Sequence, residues 1–235
     1  MYSFDSRVRY SEVSMRGELS TPGIVNYFQD CSTFQSEELG RGDFWLKEQN
    51  RFWVINSWQV KILRRPKLAE NIQICTWPHS LKGMFGERNF CIRDEEGRDL
   101  IQAETLWTYM DVEKMRPTKI DEDVMATYEL EPAIATKWKG RKISVPKEGE
   151  AKPPVVVGTG LLDTNGHVNN GKYVLLAMEY VPADFEIGAF RVEYRKAAWP
   201  GDVMIPVVSE TPEGMVIVFK SRQEEIFAVI ELERG

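Results

Sequence analysis

The sequence predicts an α+β fold in which one plan, a helix laid against antiparallel strands, is used twice. Three observations lead there. Apolar residues recur at helical spacing at Ile24, Tyr27, Phe28, Cys31 and Phe34. Four strand-like segments separated by turn residues follow that helix. The same order of helix, strands and turns then returns in the second half. Superposition at an offset of 131 residues lays Arg64 on Arg195, Ile74 on Ile205 and Gly83-Met84 on Gly214-Met215.

Taken in order, Arg7-Val8-Arg9-Tyr10 opens as a short strand. Ser20-Thr21-Pro22 supplies a cap and a proline suited to a first helical turn, and Gly40 stops the helix. Its one-sided apolar face calls for a covering sheet. Strands are expected at residues 51–63, 71–78, 84–93 and 100–111, divided by Pro66, Gly83 and Glu95-Glu96-Gly97. A short helix at 121–130 and a stretch rich in Lys, Pro and Gly then form a connection too mixed in charge for a third domain. The second half offers strands at 190–196, 203–209, 215–221 and 226–232. The expected division is an N-terminal module at 1–130, a linker at 131–154 and a C-terminal module at 155–235.

Composition sets the class. With 43% apolar and 28% charged residues the chain reads as an ordinary soluble globular protein, long enough to bury a sizeable core. A net charge of −6 argues against broad nucleic-acid affinity. There is no apolar run of about 18 residues to span a bilayer, and no secretory or transit-peptide pattern, so the expected compartment is the cytoplasm, with no membrane partner. Cys31, Cys75 and Cys91 are odd in number, widely spaced and set among apolar residues, which fits reduced core thiols. His167 and the distant His79 cannot build a metal site, and no glycine-rich phosphate loop follows a strand, so no metal and no cofactor are expected.

The densest chemistry lies in Leu161-Leu162-Asp163-Thr164-Asn165-Gly166-His167-Val168-Asn169-Asn170. Tyr173, Leu176, Ala177 and Tyr180 follow at helical spacing, which places the cluster in a loop entering a helix N-terminus. Free backbone N–H groups and a partial positive charge there suit a developing oxyanion. Turn and cap roles explain one or two of these polar residues. They do not explain His167, four positions after Asp163, together with the Asn169-Asn170 pair.

This Asp-x-Asn-x-His-Val-Asn-Asn segment, followed by a small residue, Lys and Tyr, resembles the active-site segment of the acyl-acyl-carrier-protein thioesterases, a branch of the hot-dog superfamily. Trp53-Val54-Ile55 to Arg64, Thr76-Trp77, Gly83-Met84 before Arg88, Ile92-Arg93-Asp94, and Thr105-Leu106-Trp107 through Met115-Arg116-Pro117 also fall where that family has similar residues. The resemblance implies two tandem hot-dog modules, each a long helix wrapped by a curved antiparallel sheet, in a bacterial-type relative of the plant fatty acyl thioesterases. It further implies hydrolysis of acyl-acyl-carrier-protein to free fatty acid and carrier. An acyl-coenzyme A thioesterase, or a non-catalytic acyl- or carrier-binding protein, is the alternative. A hot-dog dehydratase fits the motif less well.

Thioester hydrolysis needs an attacking group or an activated water, and donors for the oxyanion. Asp163 is expected either to act as general base or to attack the carbonyl directly. Asn165 would donate to water, to the thioester oxygen or to Asp163. His167 would orient the same partners and protonate the leaving thiolate. Backbone N–H groups near Val168 and Asn169 would form the oxyanion site. The family pattern places a further acid and a cysteine after the Glu-Tyr-Arg strand, where this chain has Ala197 and Ala198. Glu179 and Asp202 are weak substitutes, one on a solvent face and one in a turn.

The matching segment of the first half, Ser14-Met15-Arg16-Gly17-Glu18-Leu19-Ser20, has no His and no Asn pair. That half is left to shape an acyl-chain pocket, for which Tyr27, Phe28, Phe34, Trp53, Ile55, Trp58, Phe85 and Phe90 are candidates, although each also suits plain core packing. The basic clusters at residues 64–67 and 137–142 read as solvated surface, or as a seat for an acidic carrier protein or the phosphates of a pantetheine thioester. A monomer and a homodimer are both compatible with the sequence.

Overall fold

In the computed structural model, which describes residues 1–235, the chain opens with β1 (Tyr2–Arg7). The opening strand therefore lies earlier than expected. It pairs along the edge of a later strand, with Phe4 opposite Ile74, and residues 10–12 turn away as a single 3-10 turn. Ser20 then caps α1 (Thr21–Glu38), its Oγ accepting the Gly23 N–H at 3.1 Å. The helix ends before Gly40, whose φ of +67° suits a residue without a side chain. Next come α2 (Asp43–Glu48), β2 (Arg51–Ile62), β3 (Asn71–Lys82), β4 (Phe85–Arg93), β5 (Asp99–Asp111), β6 (Arg116–Pro117) and α3 (Glu122–Thr127).

These elements, apart from Ser57–Lys61 of β2, form the first of two compact units, Met1–Asn56 with Ile62–Lys139. Its antiparallel order is β1-β3-β4-β5, with β6 on β5. β3 runs past Pro78, where the sequence suggested an end, because a bulge between Pro78 and Ser80 absorbs the proline. α1 buries Ile24, Val25, Phe28 and Cys31 against this sheet. The Phe28 ring lies 5.1 Å from that of Phe90, and Cys31 Sγ donates to the Ile74 carbonyl at 3.6 Å. All three cysteines are free and buried.

The second unit, Ser57–Lys61 with Gly140–Gly235, adds β7 (Glu150–Ala151), β8 (Val155–Val156), α4 (Asn170–Met178), β9 (Ile187–Tyr194), β10 (Val203–Thr211), β11 (Gly214–Lys220) and β12 (Ile226–Arg234). Its order is β9-β12-β11-β10, all antiparallel, with β7 and β8 on β10 and residues Ser57–Lys61 on β9. α4 packs Tyr173, Val174 and Ala177 inward, the Tyr173 ring standing edge-on 5.8 Å from Phe219. It has half the length of α1, and Pro182 follows shortly after its end.

The stretch rich in Lys, Pro and Gly is tied down in each unit. In the first, Trp77 Nε1 donates to the Pro132 carbonyl at 2.9 Å, and Ile134 packs on Cys75 and Cys91. In the second, Ile143 fills a pocket of Val216, Val218 and Val229. No helix is long and apolar enough to cross a membrane.

Candidate active site

A single 3-10 turn, Thr159–Leu161, leads into the polar motif, and an isolated bridge between Leu162 and Val168 closes it into a loop. Within the loop Asp163 N–H donates to the His167 carbonyl at 2.9 Å, and Gly166 N–H to the Asp163 carbonyl at 3.1 Å. Gly166 sits at φ +79°, the left-handed conformation this tight return requires. Asp163 Oδ1 accepts the Asn165 backbone N–H at 2.7 Å, an Asx turn that fixes the carboxylate. Its Oδ2 lies 3.3 Å from His167 Nδ1, which also faces the Val168 carbonyl at 3.5 Å. Both neighbours of Nδ1 are acceptors, so the proton of the neutral ring belongs on Nδ1, and Nε2 keeps its lone pair. The Asp163 side chain is 16% exposed and that of His167 26%, so the pair is sheltered but reachable.

Asn169 caps α4, its Oδ1 accepting the Gly171 N–H at 2.8 Å, and Tyr194 OH holds the next carbonyl, that of Asn170, at 2.8 Å. The backbone donors expected at the oxyanion are placed differently. Val168 N–H donates to the Ala198 carbonyl and Asn169 N–H to the Leu161 carbonyl, each at 2.9 Å. Both are spent on the loop, so Val168 and Asn169 hold the site together and do not face it with free donors. Asn170, at the first helical position, has no intrahelical acceptor for its N–H. The Asn165 side chain is exposed on the same turn.

Sequence reasoning missed two residues here. Trp199, half exposed, stands edge-on to His167 with ring centroids 5.7 Å apart and limits the ring's rotation. Ala198, noted only for lacking a reactive side chain, is fully buried and anchors the loop through its carbonyl. A Trp-Pro-Gly turn after a strand was the signal for the first. Backbone acceptors leave no signal in sequence. Asp202 is committed to that turn, its Oδ2 accepting the Trp199 N–H at 2.8 Å, and Glu179 is exposed. No group of three or more His, Cys, Asp or Glu side chains is placed to hold a metal ion.

The first unit contains the same loop without the chemistry. Ser14 N–H donates to the Glu18 carbonyl at 2.8 Å, Gly17 N–H to the Ser14 carbonyl at 2.9 Å, and Leu19 N–H to the Pro66 carbonyl at 2.8 Å. Gly17 has φ +71°, and a Val13–Leu19 bridge closes the loop. Ser14 and Glu18 thus stand where Asp163 and His167 do. The later strands match less simply than the sequence offset suggested. Leu63 and Arg64 N–H share the Leu100 carbonyl as Arg195 and Lys196 share that of Phe227, so Arg64 corresponds to Lys196, one position beyond Arg195. Gly83 has φ +61° in the β3–β4 turn, whereas Gly214 opens β11.

Of the pocket candidates, Tyr27, Phe28, Ile55 and Phe90 are core residues of the first unit, Trp58 is a core residue of the second, and Phe34 and Phe85 are partly exposed. Trp53 alone among them lines a cleft in the first unit, which is open to solvent on one side and also takes in Leu46, Leu81, Trp107, Arg41 and Arg88.

Comparison with known proteins bears on the fold and the family. The profile of the acyl-ACP thioesterase N-terminal domain matches residues 1–128, and that of the acyl-ACP thioesterase C-terminal domain matches residues 154–229. The chloroplastic acyl-[acyl-carrier-protein] hydrolase FATB3 of Cuphea viscosissima is 26% identical over 222 residues, covering 87% of this chain and 54% of that protein. The chain thus spans about half the length of the curated relatives it matches. Among solved structures, an acyl-ACP thioesterase from Bacteroides thetaiotaomicron superposes with a TM-score of 0.90 at 18% identity, over 99% of this chain and 97% of that one. The 12:0-ACP thioesterase from Umbellularia californica superposes at 0.88 and 19% identity, over 100% and 96%. These likenesses establish the α+β hot-dog fold, and the two domain profiles establish the family: this protein belongs to the acyl-ACP thioesterases.

Proposed function

We propose that this protein hydrolyses the thioester of acyl-acyl-carrier-protein, releasing free fatty acid and carrier. The observation that carries the reading is the Asp163–His167 pair, 3.3 Å apart and partly sheltered beside the N-terminus of α4, in a chain of this family. Asp163 holds the Nδ1 proton of His167, which leaves Nε2 to take a proton from water as the water oxygen bonds to the thioester carbon. The Asn165 carboxamide and the Asn170 N–H meet the resulting oxyanion. When the carbon–sulfur bond breaks, the proton on Nε2 passes to the departing thiolate. Asp163 remains ionised throughout and stabilises the imidazolium between the two transfers. Its roles as direct nucleophile or sole base, both open at the level of sequence, are less favoured, because its two oxygens face Asn165 N–H and His167 Nδ1.

The first unit is assigned the acyl chain and residues 155–235 the chemistry. An acidic carrier would meet the exposed cations Lys137, Arg141 and Lys142. The cluster at residues 64–67 is less available. Arg64 pairs with Glu70 at 2.6 Å, and Arg65 donates to the Leu19 carbonyl at 2.7 Å. Release of free thiol from matched panels of acyl-carrier and acyl-coenzyme A thioesters tests the reading. Faster turnover on carrier thioesters is expected. Faster turnover on coenzyme A thioesters would move the assignment to that substrate, and tight binding with no thiol release would make the protein a binding module.

A further inference from the structure

The first-unit cleft is built for more than a hydrocarbon. Its walls are apolar at Trp53, Trp107, Leu46, Leu81 and Pro78, but two guanidinium groups also line it. Arg88 is partly buried in β4, and its partners are all neutral. Nη1 donates to Gln35 Oε1 and, at 3.1 Å, to Thr76 Oγ1, and the group lies 5.5 Å from the centre of the Tyr128 ring. Burial pushes this guanidinium below its ordinary pKa, the direction expected of a cation with no anion beside it. Arg41 is stacked 4.1 Å over Trp45, and its only ion pair is a long one, 3.5 Å to Asp123. Its Nε is buried without a hydrogen-bond acceptor. Asp43 and Glu87 also line the cleft, but neither pairs with a guanidinium, and Asp43 sits in the favourable first turn of α2.

A guanidinium enclosed like that of Arg88, with no carboxylate partner, is costly beside an alkyl chain and favourable beside an anion, and Arg41 adds a cation held by only one long ion pair. We propose that this cleft binds an aliphatic carboxylate, with its charged end on Arg41 and Arg88 and its chain against Trp53, Leu46 and Leu81. Two molecules present that chemistry. One is a free fatty acid, and the other is an acyl group whose far end carries a carboxylate. The second deepens the proposed function and rests on it, whereas the binding itself does not.

The test uses the intact protein and a series of straight-chain fatty acids with the alcohols of matching length, followed by calorimetry and by the fluorescence of the tryptophans that line the cleft. The acid should bind at least about tenfold more tightly than the alcohol. Arg41→Gln and, separately, Arg88→Gln should remove that preference and leave alcohol affinity unchanged. Arg41 is near the surface, so its variant serves if Arg88→Gln fails to fold. Equal binding of acid and alcohol, or a preference that survives in both folded variants, overturns the proposal. Thioesters ending in a carboxylate and turned over faster than plain acyl ones identify the source as substrate, and inhibition by free acid identifies it as product. An acid preference in a protein with no thioesterase activity would refute the hydrolase reading alone, and an active enzyme with no acid preference would refute this site alone.

Discussion

Replacing Asp163 by asparagine keeps the shape of the turn and removes its charge. The remaining carbonyl oxygen can still accept the Asn165 N–H, now held at 2.7 Å, so the loop should persist. The other oxygen, 3.3 Å from His167 Nδ1, becomes an amide donor facing a donor. The ring then has only the Val168 carbonyl, at 3.5 Å, to hold its proton on Nδ1, and the tautomer with hydrogen on Nε2 gains. That tautomer cannot accept a proton from water. A positioned base contributes on the order of 10²–10⁴ in rate, or about 2.7–5.4 kcal/mol at about 1.36 kcal/mol per decade. The fold loses much less. Weakening one partly sheltered charge-assisted bond costs about 1 kcal/mol, a fall of roughly 2–4 °C in Tm for a chain of this size. Thiol-release kinetics read together with thermal unfolding separate the two effects. A variant within about threefold of wild-type kcat/KM, with unaltered unfolding, would show that Asp163 neither tunes nor holds His167.

The two matching loops provide an internal control. Gly166→Ala and Gly17→Ala meet open space but force alanine to φ +79° and +71°, so each should cost about 1 kcal/mol in thermal unfolding, and only the former should lower turnover. Ile143→Ala, at a side chain 1% exposed, should cost about 2–5 kcal/mol in denaturant unfolding; a loss under about 0.5 kcal/mol would mean that its segment does not anchor the second unit. Glu193 bears on acid stability. Burial raises its pKa, but the Arg195 guanidinium at 2.8 Å and the Ile143 N–H at 2.9 Å outweigh this and hold it below its ordinary value of 4.5. Its stabilisation is therefore complete above about pH 4.5 and lost as pH falls through the lower folded value. Glu193→Gln should flatten that acid limb in pH-dependent unfolding, and an unchanged limb would exclude the pairing as its source.

Much of this was legible along the chain because it depends on neighbours in sequence. The cap at Ser20, the 3.6-residue period to Phe34 and the stop at Gly40 are local, and α1 follows them. The Asp163-to-His167 spacing is also local, since one tight turn brings residues four apart together. Features that depend on distant partners were misplaced or missed. β1 is decided by pairing with β3 rather than by its own weak pattern, and β3 survives Pro78 because a bulge at that point spares the ladder.

The sequence by itself determined the α+β plan and singled out the residues that could carry thioester chemistry, because periodicity and side-chain type are properties of short stretches. Tertiary structure alone decided which donors are free. Ala198, 30 positions from Val168, claims its N–H, and Leu161 claims that of Asn169. It also brought Arg41 and Arg88, 47 positions apart, to one cleft in which Arg88 has only neutral hydrogen-bond partners. Hydrogen-bond allegiance and charge compensation depend on distance in space, and only the folded chain sets that distance.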